Sequence, residues 1–185
     1  MFGCKVLLTT LILFFYFDCG LPKNTTDNPQ NTKVVNSPNQ SFSQEIPENL
    51  LISLERTVCF GTCPSYKLSV KSDGTVSFEG IEFTKVKGKA EGKITKENLK
   101  TLLSEFEKAN FFNLKDSYKS EEDGCKEVWT DNPSEFISIQ IGEKSKTVRH
   151  YFGCQKVEGN DLEKIANLGK KIDEILGTKQ WIGEK

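Results

Sequence analysis

The cysteines and the single histidine are the residues with the most distinctive chemistry in this chain. Cys59 and Cys63 lie four positions apart, and His150 lies four positions before Cys154. Both spacings are within the range found in zinc sites, where thiolate sulfur and imidazole nitrogen bind the ion tetrahedrally. The same four side chains also contain a dithiol that could do redox chemistry. The sequence therefore leaves open a zinc or thiol-redox site formed by this set.

Two observations weigh against a metal or redox role for the set. His150 and Cys154 fall on a segment with strand-like alternation, where four residues of extended chain span about 13 Å unless the chain bends at Gly153. Three residues separate Cys59 from Cys63, whereas thioredoxin-like motifs have two and lie in a βαβ unit. We therefore predict no cofactor and no metal, and keep the zinc or thiol-redox site as the alternative.

No other group of side chains in the sequence predicts catalysis. Any catalytic triad would have to use His150, because it is the only histidine. His150 shares a strand face with Val148 and Phe152, which indicates a buried structural histidine. Asp131 and Glu135 could form a carboxylate pair, but the polar segment before Glu135 is more typical of a turn. We predict no catalytic residue, and the chain is more simply interpreted as a protein that is not an enzyme.

Residues 1–19 have the pattern of an export signal. Lys5 supplies one positive charge, and residues 6–17 form an uncharged, mostly apolar run that is too short to span a membrane. A cysteine directly after such a run resembles the lipoprotein signals of bacteria, in which that cysteine is acylated. Asp18 departs from the small residue that usually precedes it. We predict lipidation at Cys19, with another form of secretion or a retained anchor as alternatives.

The rest of the chain divides into a linker and one domain. Residues 20–48 are rich in proline and asparagine, a composition that is typical of flexible tethers. Residues 49–185 are long enough for a single hydrophobic core. The 25 basic and 26 acidic residues give a net charge of −1. This balance argues against nucleic acid as a partner. We predict a monomer that attaches to a membrane through its N-terminal lipid.

Apolar periodicity predicts the elements of the domain. Alternation over residues 66–78 and again over 137–152 is typical of two β-hairpins, with a strand at 50–57 before the first and a strand at 82–87 after it. Helical periodicity predicts a helix over 95–110, with Thr95 as its N-cap. It predicts another over 161–176, with Asn160 and Glu163 as a cap-like pair at its start and Gly177 at its end.

These elements predict an α+β domain, in which an antiparallel sheet is built from two hairpin-containing units. Each unit is followed by a helix that packs on one face of the sheet. The aromatic residues are expected to build the core rather than a ligand cage; these are Phe106, Phe111, Phe112, Tyr118, Trp129 and Tyr151.

Several short motifs in the domain occur together in a known family. They are Cys59-Phe-Gly-Thr-Cys63-Pro64-Ser-Tyr66, Ser72-Asp-Gly-Thr-Val76, Phe111-Phe112, Asp116-Ser-Tyr118, Thr130-Asp131 and His150-Tyr-Phe-Gly153. Over residues 51–176 the chain resembles a family of exported bacterial domains known only as a domain of unknown function. The resemblance implies a fold and a compartment but no activity. Cys125 and Cys154 are additions to the family pattern, and Asn132-Pro133 departs from it.

The four cysteines of the domain allow three pairings. The short turn between Cys59 and Cys63 contains Gly61, so their α-carbons can approach within the disulfide range of about 4.4–6.8 Å. If Cys125 and Cys154 are both additions to the family pattern, the resemblance implies that they pair with each other. An exported compartment favours disulfides over free thiols.

The sequence as a whole predicts a lipid-anchored protein of the bacterial cell envelope. Its domain is expected to be a non-catalytic binding or structural module that disulfides stabilise. The loops around Cys59–Cys63 and at 120–133 are the predicted contact surface for a protein or small-molecule ligand. The alternative is an envelope enzyme, or a zinc or thiol-redox protein, that uses Cys59, Cys63, His150 and Cys154.

Overall fold

The computed structural model of this chain describes residues 45–183, so the signal, Cys19 and most of the linker lie outside the described residues. The described part is an α+β domain, as predicted. Its strands are β1 (Leu51–Arg56), β2 (Ser65–Lys71), β3 (Thr75–Glu82), β4 (Gly88–Lys93), β5 (Ser117–Tyr118), β6 (Ser134–Ile141) and β7 (Lys144–Tyr151). Its α-helices are α1 (Lys96–Lys108), α2 (Asp161–Leu176) and α3 (Lys179–Ile182). Between residues 45 and 183, no helix combines the length and apolar character needed to cross a membrane.

All seven strands form one sheet in the order β4-β3-β2-β1-β6-β7-β5. The two predicted hairpins are β2–β3 and β6–β7, and the first strand of the domain lies between them. Every strand pair is antiparallel except the short β5–β7 pair, which is parallel. The central position of β1 joins the two hairpin units into one continuous sheet.

One face of the sheet carries the hydrophobic core. In β1, Ile52 and Leu54 are completely buried, and Leu54 is paired with Leu68 on β2 and Ile137 on β6. The intervening positions of the same strands are mostly polar and mostly more exposed. Because side chains alternate across a strand, this pattern leaves one face for the helices and one for solvent. The helices cover the apolar face with Leu99, Leu102, Leu103, Phe106, Ile165, Leu168, Ile172 and Leu176.

The predicted helix ends are confirmed except at one cap. The Thr95 hydroxyl accepts a hydrogen bond from the Asn98 amide at 3.2 Å and begins α1. Gly177, with φ of 66°, ends α2. The predicted cap at Asn160 is wrong, because its side chain makes no capping hydrogen bond. Asn160 has φ of −122° and ψ of 23°, which is not the extended conformation that aims a capping side chain at the first turn.

The strand predicted at 82–87 is also wrong. β3 continues to Glu82, and the next strand begins only at Gly88. Phe83 has φ of 52°, a left-handed conformation that interrupts an extended chain. After it, the Thr84 hydroxyl donates to the Val86 carbonyl at 2.8 Å, and the Val86 amide donates to the Trp181 carbonyl at 2.9 Å. Residues 83–87 are therefore a loop that packs against α3.

The two ends of the sheet differ in what they carry. At one end the chain enters β1, and the Ser72 hydroxyl donates to the Glu48 carbonyl at 2.6 Å; we call this the entry end. The opposite end is formed by the last residues of β1, β3 and β7 and the first residues of β2 and β6; we call it the far end. The six residues of β1 place the two ends roughly 20 Å apart.

Candidate functional site

A charged side chain lies at the centre of the far end. Arg56, the last residue of β1, places Nη1 2.9 Å from Glu135 Oε2 and Nη2 3.0 Å from Asp173 Oδ2. Its Nε donates to the Tyr66 hydroxyl at 2.9 Å. The Tyr66 hydroxyl in turn donates to Asp173 Oδ1 at 2.7 Å. These contacts tie three neighbouring strands to α2, because Asp173 belongs to that helix.

Glu135 is the buried member of this cluster. The residue is completely buried, and its Oε1 lies 2.9 Å from His150 Nδ1. Its Oε2 is held by the charge of Arg56 alone, because that close ion pair does not have hydrogen-bond geometry. A carboxylate without water needs a positive partner, so Glu135 depends on the guanidinium. We call Arg56, Tyr66, Glu135, His150 and Asp173 the charged cluster.

A glycine lets α2 pack directly on this carboxylate. A Cβ atom at Gly169 would lie 2.4 Å from Glu135 Oε2 and 3.2 Å from Arg56 Nη2. No side chain fits in that space without moving the ion pair. Gly169 is completely covered by its surroundings, and its role is therefore steric rather than conformational.

The cluster fixes the protonation of its tyrosine and arginine. Burial raises the pKa of Tyr66 far above its ordinary value, and the neighbouring Asp173 carboxylate raises it further. Burial alone would lower the pKa of Arg56, but Glu135, Tyr66 and Asp173 together raise it. Tyr66 therefore remains a neutral hydrogen-bond donor and Arg56 remains a cation.

A cavity of about 440 Å³ opens beside the charged cluster. Its polar part consists of Arg56, Tyr66 and Asp173 of the cluster together with Thr57 and Ser134. The remaining walls are mostly apolar, and the residues that supply them are Cys63, Pro64, Pro133, Phe152 and Ile182. The cavity therefore combines an apolar surface with one exposed edge of a charge network.

Two disulfides brace the segments around this cavity. Cys59 is bonded to Cys63, with α-carbons 5.8 Å apart, and Cys125 is bonded to Cys154, with α-carbons 5.4 Å apart. This is the pairing expected from the sequence, and it is consistent with an extracytoplasmic protein. The four alternative zinc ligands do not come together, because the cysteines are bonded in pairs and His150 contacts Glu135. Within the described residues, no group of three or more potential ligands is placed to hold a metal ion.

The loops beyond the far end expose aromatic side chains. Phe60, in the Cys59–Cys63 loop, is 91% exposed, and Trp129 is 55% exposed. The two loops touch, since the Phe60 amide donates to the Asp131 carbonyl at 3.4 Å. The prediction that Trp129 builds the core is wrong. Its amide donates to the Gly153 carbonyl at 2.8 Å, and its indole nitrogen donates to the exposed Glu127 carboxylate.

Exposed apolar side chains are concentrated at this end of the domain. Seven large apolar residues are exposed in the part of the chain that the structure describes, and Leu51 alone among them is at the entry end. The other six follow β1, end or follow β3, or precede β6; they are Val58, Phe60, Ile81, Phe83, Val128 and Trp129. We call these six residues the far-end surface.

Acidic residues in and beside the loop at 120–133 have structural surroundings. Asp131 is exposed in a turn with φ of 65°, whereas Glu135 is buried in the charged cluster, so they do not form an accessible carboxylate pair. Asp123 accepts hydrogen bonds from the Ser117 hydroxyl and from the Lys119 amide, both at 2.8 Å. These bonds hold a loop in place, and they lower the pKa of Asp123 although partial burial opposes the shift.

The sequence reasoning missed the charged cluster, although the pattern contained a signal for part of it. Glu135 is in phase with Ile137 and Ile139 on β6, and Arg56 is in phase with Leu54 on β1. Two opposite charges at positions where the alternation demands core residues indicate a buried ion pair. Asp173 carries no such signal, because its position on α2 is only half-buried.

The fold and the site define the class of protein: an α+β domain with two disulfides, a partly buried charge cluster and exposed apolar side chains at the same end. Residues 50–176 match the family model described as Domain of unknown function (DUF6438), and the chain belongs to this family. No curated protein matches the chain. The family description assigns no activity, so function has to be argued from the far end itself.

Proposed function

We propose that this protein is a non-catalytic, lipid-anchored module of the bacterial cell envelope that binds another protein through the far-end surface. The observation that carries the proposal is the concentration of exposed apolar side chains at one end of the domain. Single exposed apolar residues are ordinary on soluble proteins, but the concentration of several at one end of a domain favours an interaction site. Exposed tryptophan and phenylalanine are among the residue types that contribute most to protein interfaces.

The loops that carry the surface are held rigidly, which favours binding. The Cys59–Cys63 disulfide closes the loop that presents Phe60. The second disulfide joins Cys125 to Cys154, and Val128 is paired with Cys154 in a β-bridge. Binding through rigid loops loses less conformational entropy than binding through flexible ones. Phe83 lies in a left-handed conformation, a strained backbone of the kind that persists at functional sites.

The position of the surface suits a tethered protein. The chain reaches β1 at the entry end, so an N-terminal anchor at Cys19 would hold the domain by the end opposite the far-end surface. A linker over residues 20–48, predicted to be flexible from its composition, would add reach between lipid and domain. The point of attachment would then not cover the far-end surface.

The arrangement of the charged cluster supports a non-catalytic role. Glu135 is completely buried, and each polar group of Arg56 and Tyr66 is already engaged with another member of the cluster. A general acid or base must reach a substrate atom within hydrogen-bond distance. The cluster instead joins three strands to α2, and it stabilises the end of the sheet from which the binding loops extend.

Charge substitutions at the surface test the proposed interface. Phe60→Asp and Trp129→Asp should each abolish recovery of the partner after in-cell cross-linking and purification from solubilised membranes, because a buried unpaired carboxylate opposes association. Leu51→Asp is the matched control, since it changes an exposed apolar residue at the entry end. Equal recovery of the partner with all three variants would contradict the proposal.

The anchor has a separate test. The intact mass of the mature protein, isolated from its native membrane, should correspond to a chain that begins at acylated Cys19. Cys19→Ser should release the protein from the membrane. A mature chain that begins elsewhere and carries no lipid would remove the anchor from the proposal while leaving the binding surface unaffected.

A further inference from the structure

We propose that the cavity beside the charged cluster binds a small organic cation, a molecule that joins an apolar body to one ammonium group. This site lies beneath the far-end surface and uses different residues. The inference therefore does not depend on the proposed protein partner.

The size and walls of the cavity favour a small molecule. Its volume of about 440 Å³ is within the range of small-molecule sites, about 300–1,000 Å³. Pro64, Pro133 and Ile182 provide rigid apolar walls, and Phe152 adds an aromatic ring. Such sites are mostly apolar, with a few polar groups that orient the ligand.

The charge of the cluster disfavours an anion, and with His150 neutral it favours a cation. Glu135 and Asp173 supply two negative charges, and Arg56 supplies one positive charge. With His150 neutral the cluster has a net charge of −1, and with His150 protonated its net charge is zero. In neither state does the cluster have the excess positive charge that would attract a carboxylate or phosphate.

Asp173 is the member of the cluster that can receive the ammonium group. Glu135 has no exposed surface, whereas the Asp173 side chain is 20% exposed and lines the cavity; the Arg56 side chain, 21% exposed, lines it too, but its charge is already paired with both carboxylates. Oδ1 of Asp173 accepts one hydrogen bond from Tyr66, and Oδ2 accepts one from Arg56. Each carboxylate oxygen has two lone pairs, so both oxygens retain capacity for a further donor.

Phe152 supplies a second attraction for a cation. Its ring already has the Arg56 guanidinium carbon 5.9 Å from its centroid. The negative face of an aromatic ring attracts ammonium groups in partly desolvated sites. An ammonium that reaches Asp173 would therefore lie in a cavity whose aromatic wall also favours positive charge.

Three probes of equal size test the charge preference on the unaltered full chain. Benzylamine, benzyl alcohol and benzoate share an apolar ring and differ in charge. In amide NMR titrations, benzylamine should shift Thr57, Ser134 and Ile182, and it should bind about tenfold more tightly than benzyl alcohol. Benzoate should bind more weakly than the alcohol.

A substitution at Asp173 tests whether this carboxylate is the source of the preference for a cation. Asp173→Asn should reduce benzylamine affinity to that of benzyl alcohol, because the amide keeps the shape of the side chain and loses its charge. Glu174→Gln is the matched control: it removes a negative charge from the adjacent, exposed position of α2 and should change nothing. Should Asp173→Asn fail to fold, the ranking of the three probes on the unaltered chain decides the question.

Several results would overturn this inference. These are equal affinity for the three probes, tightest binding of benzoate, absence of saturable shifts, or shifts confined to the loops of Phe60 and Trp129. Phe60→Asp should leave benzylamine binding intact, so loss of the protein partner and loss of the cation site are separate outcomes.

Discussion

The substitution Gly169→Ala should change the stability of the protein in the direction opposite to the one that helix propensity predicts. In an ordinary helix, replacing glycine with alanine stabilises by about 1 kcal/mol. At Gly169 of α2, the new methyl group would lie 2.4 Å from Glu135 Oε2, 3.1 Å from Glu135 Cδ and 3.2 Å from Arg56 Nη2. A real Cβ contact of 2.4 Å does not occur, so either the helix or the ion pair must move.

The expected cost follows from these contacts. Overpacking a well-packed interior costs about 1–3 kcal/mol. Displacement of a completely buried carboxylate from its arginine partner places Gly169→Ala at the upper end of that range. After the gain in helix propensity is subtracted, we expect a net loss of about 2 kcal/mol in the free energy of unfolding. Urea denaturation followed by circular dichroism measures it.

Two further variants separate the clash from other effects. Asn167→Ala changes an exposed position of the same helix and should stabilise by about 0.5 kcal/mol. In a Glu135→Ala background the clashing oxygen is absent, so Gly169→Ala should stabilise by up to about 1 kcal/mol, which is a coupling of about 3 kcal/mol. The reasoning is refuted if Gly169→Ala stabilises the unaltered protein as much as Asn167→Ala does.

Three other predictions concern the disulfides and a buried tyrosine. Replacing Cys125 and Cys154 with alanine should lower the free energy of unfolding, measured by urea denaturation, by about 4 kcal/mol. Replacing Cys59 and Cys63 should lower it by about 2 kcal/mol, because opening the longer loop gives the unfolded chain more entropy. The reverse order would contradict the loop model. A thiol assay on the denatured mature protein with an acylated N-terminus should find no free thiol, and metal analysis should find no zinc; four thiols with one zinc per chain would restore the alternative site. Burial and a hydrogen bond to Asp161 raise the pKa of Tyr118 to about 12, above about 10 in the unfolded chain. Its contribution to stability is therefore complete below pH 10 and lost as the pH rises through 12, and Tyr118→Phe should flatten part of that decline in urea midpoints; an unchanged pH profile would argue against this contribution.

The elements with strong apolar periodicity were predictable from the sequence. Ile137, Ile139 and Ile141 mark one hairpin, and the stripe of α2 predicted its ends at Asp161 and Gly177. Strand β4 was missed because Gly88–Lys93 is an edge strand of glycine, lysine and glutamate with little apolar surface. Its inward positions are only Ala90 and Gly92, so the alternation with the exposed lysines and glutamate gives little apolar signal.

The candidate site was predictable only in its outer part. The loops around Cys59–Cys63 and at 120–133 were expected to form one contact surface, and the hydrogen bond from Phe60 to Asp131 shows that they are neighbours. The cluster beneath them depends on pairs that are distant in sequence, such as Arg56 and Asp173, which are 117 positions apart. Contacts between residues so far apart depend on the order of the strands in the sheet and on where α2 packs. Local patterns in the sequence determine neither.

The most direct test of the central claim is site-specific photocross-linking in the cells that produce the protein. A benzophenone side chain placed at 60 or 129 should give a discrete adduct of higher mass with the same partner protein. The same group at 51, an exposed apolar position at the entry end, should give none. Equal adducts at all three positions, or adducts at 51 alone, would contradict the assignment of the far-end surface as the binding surface.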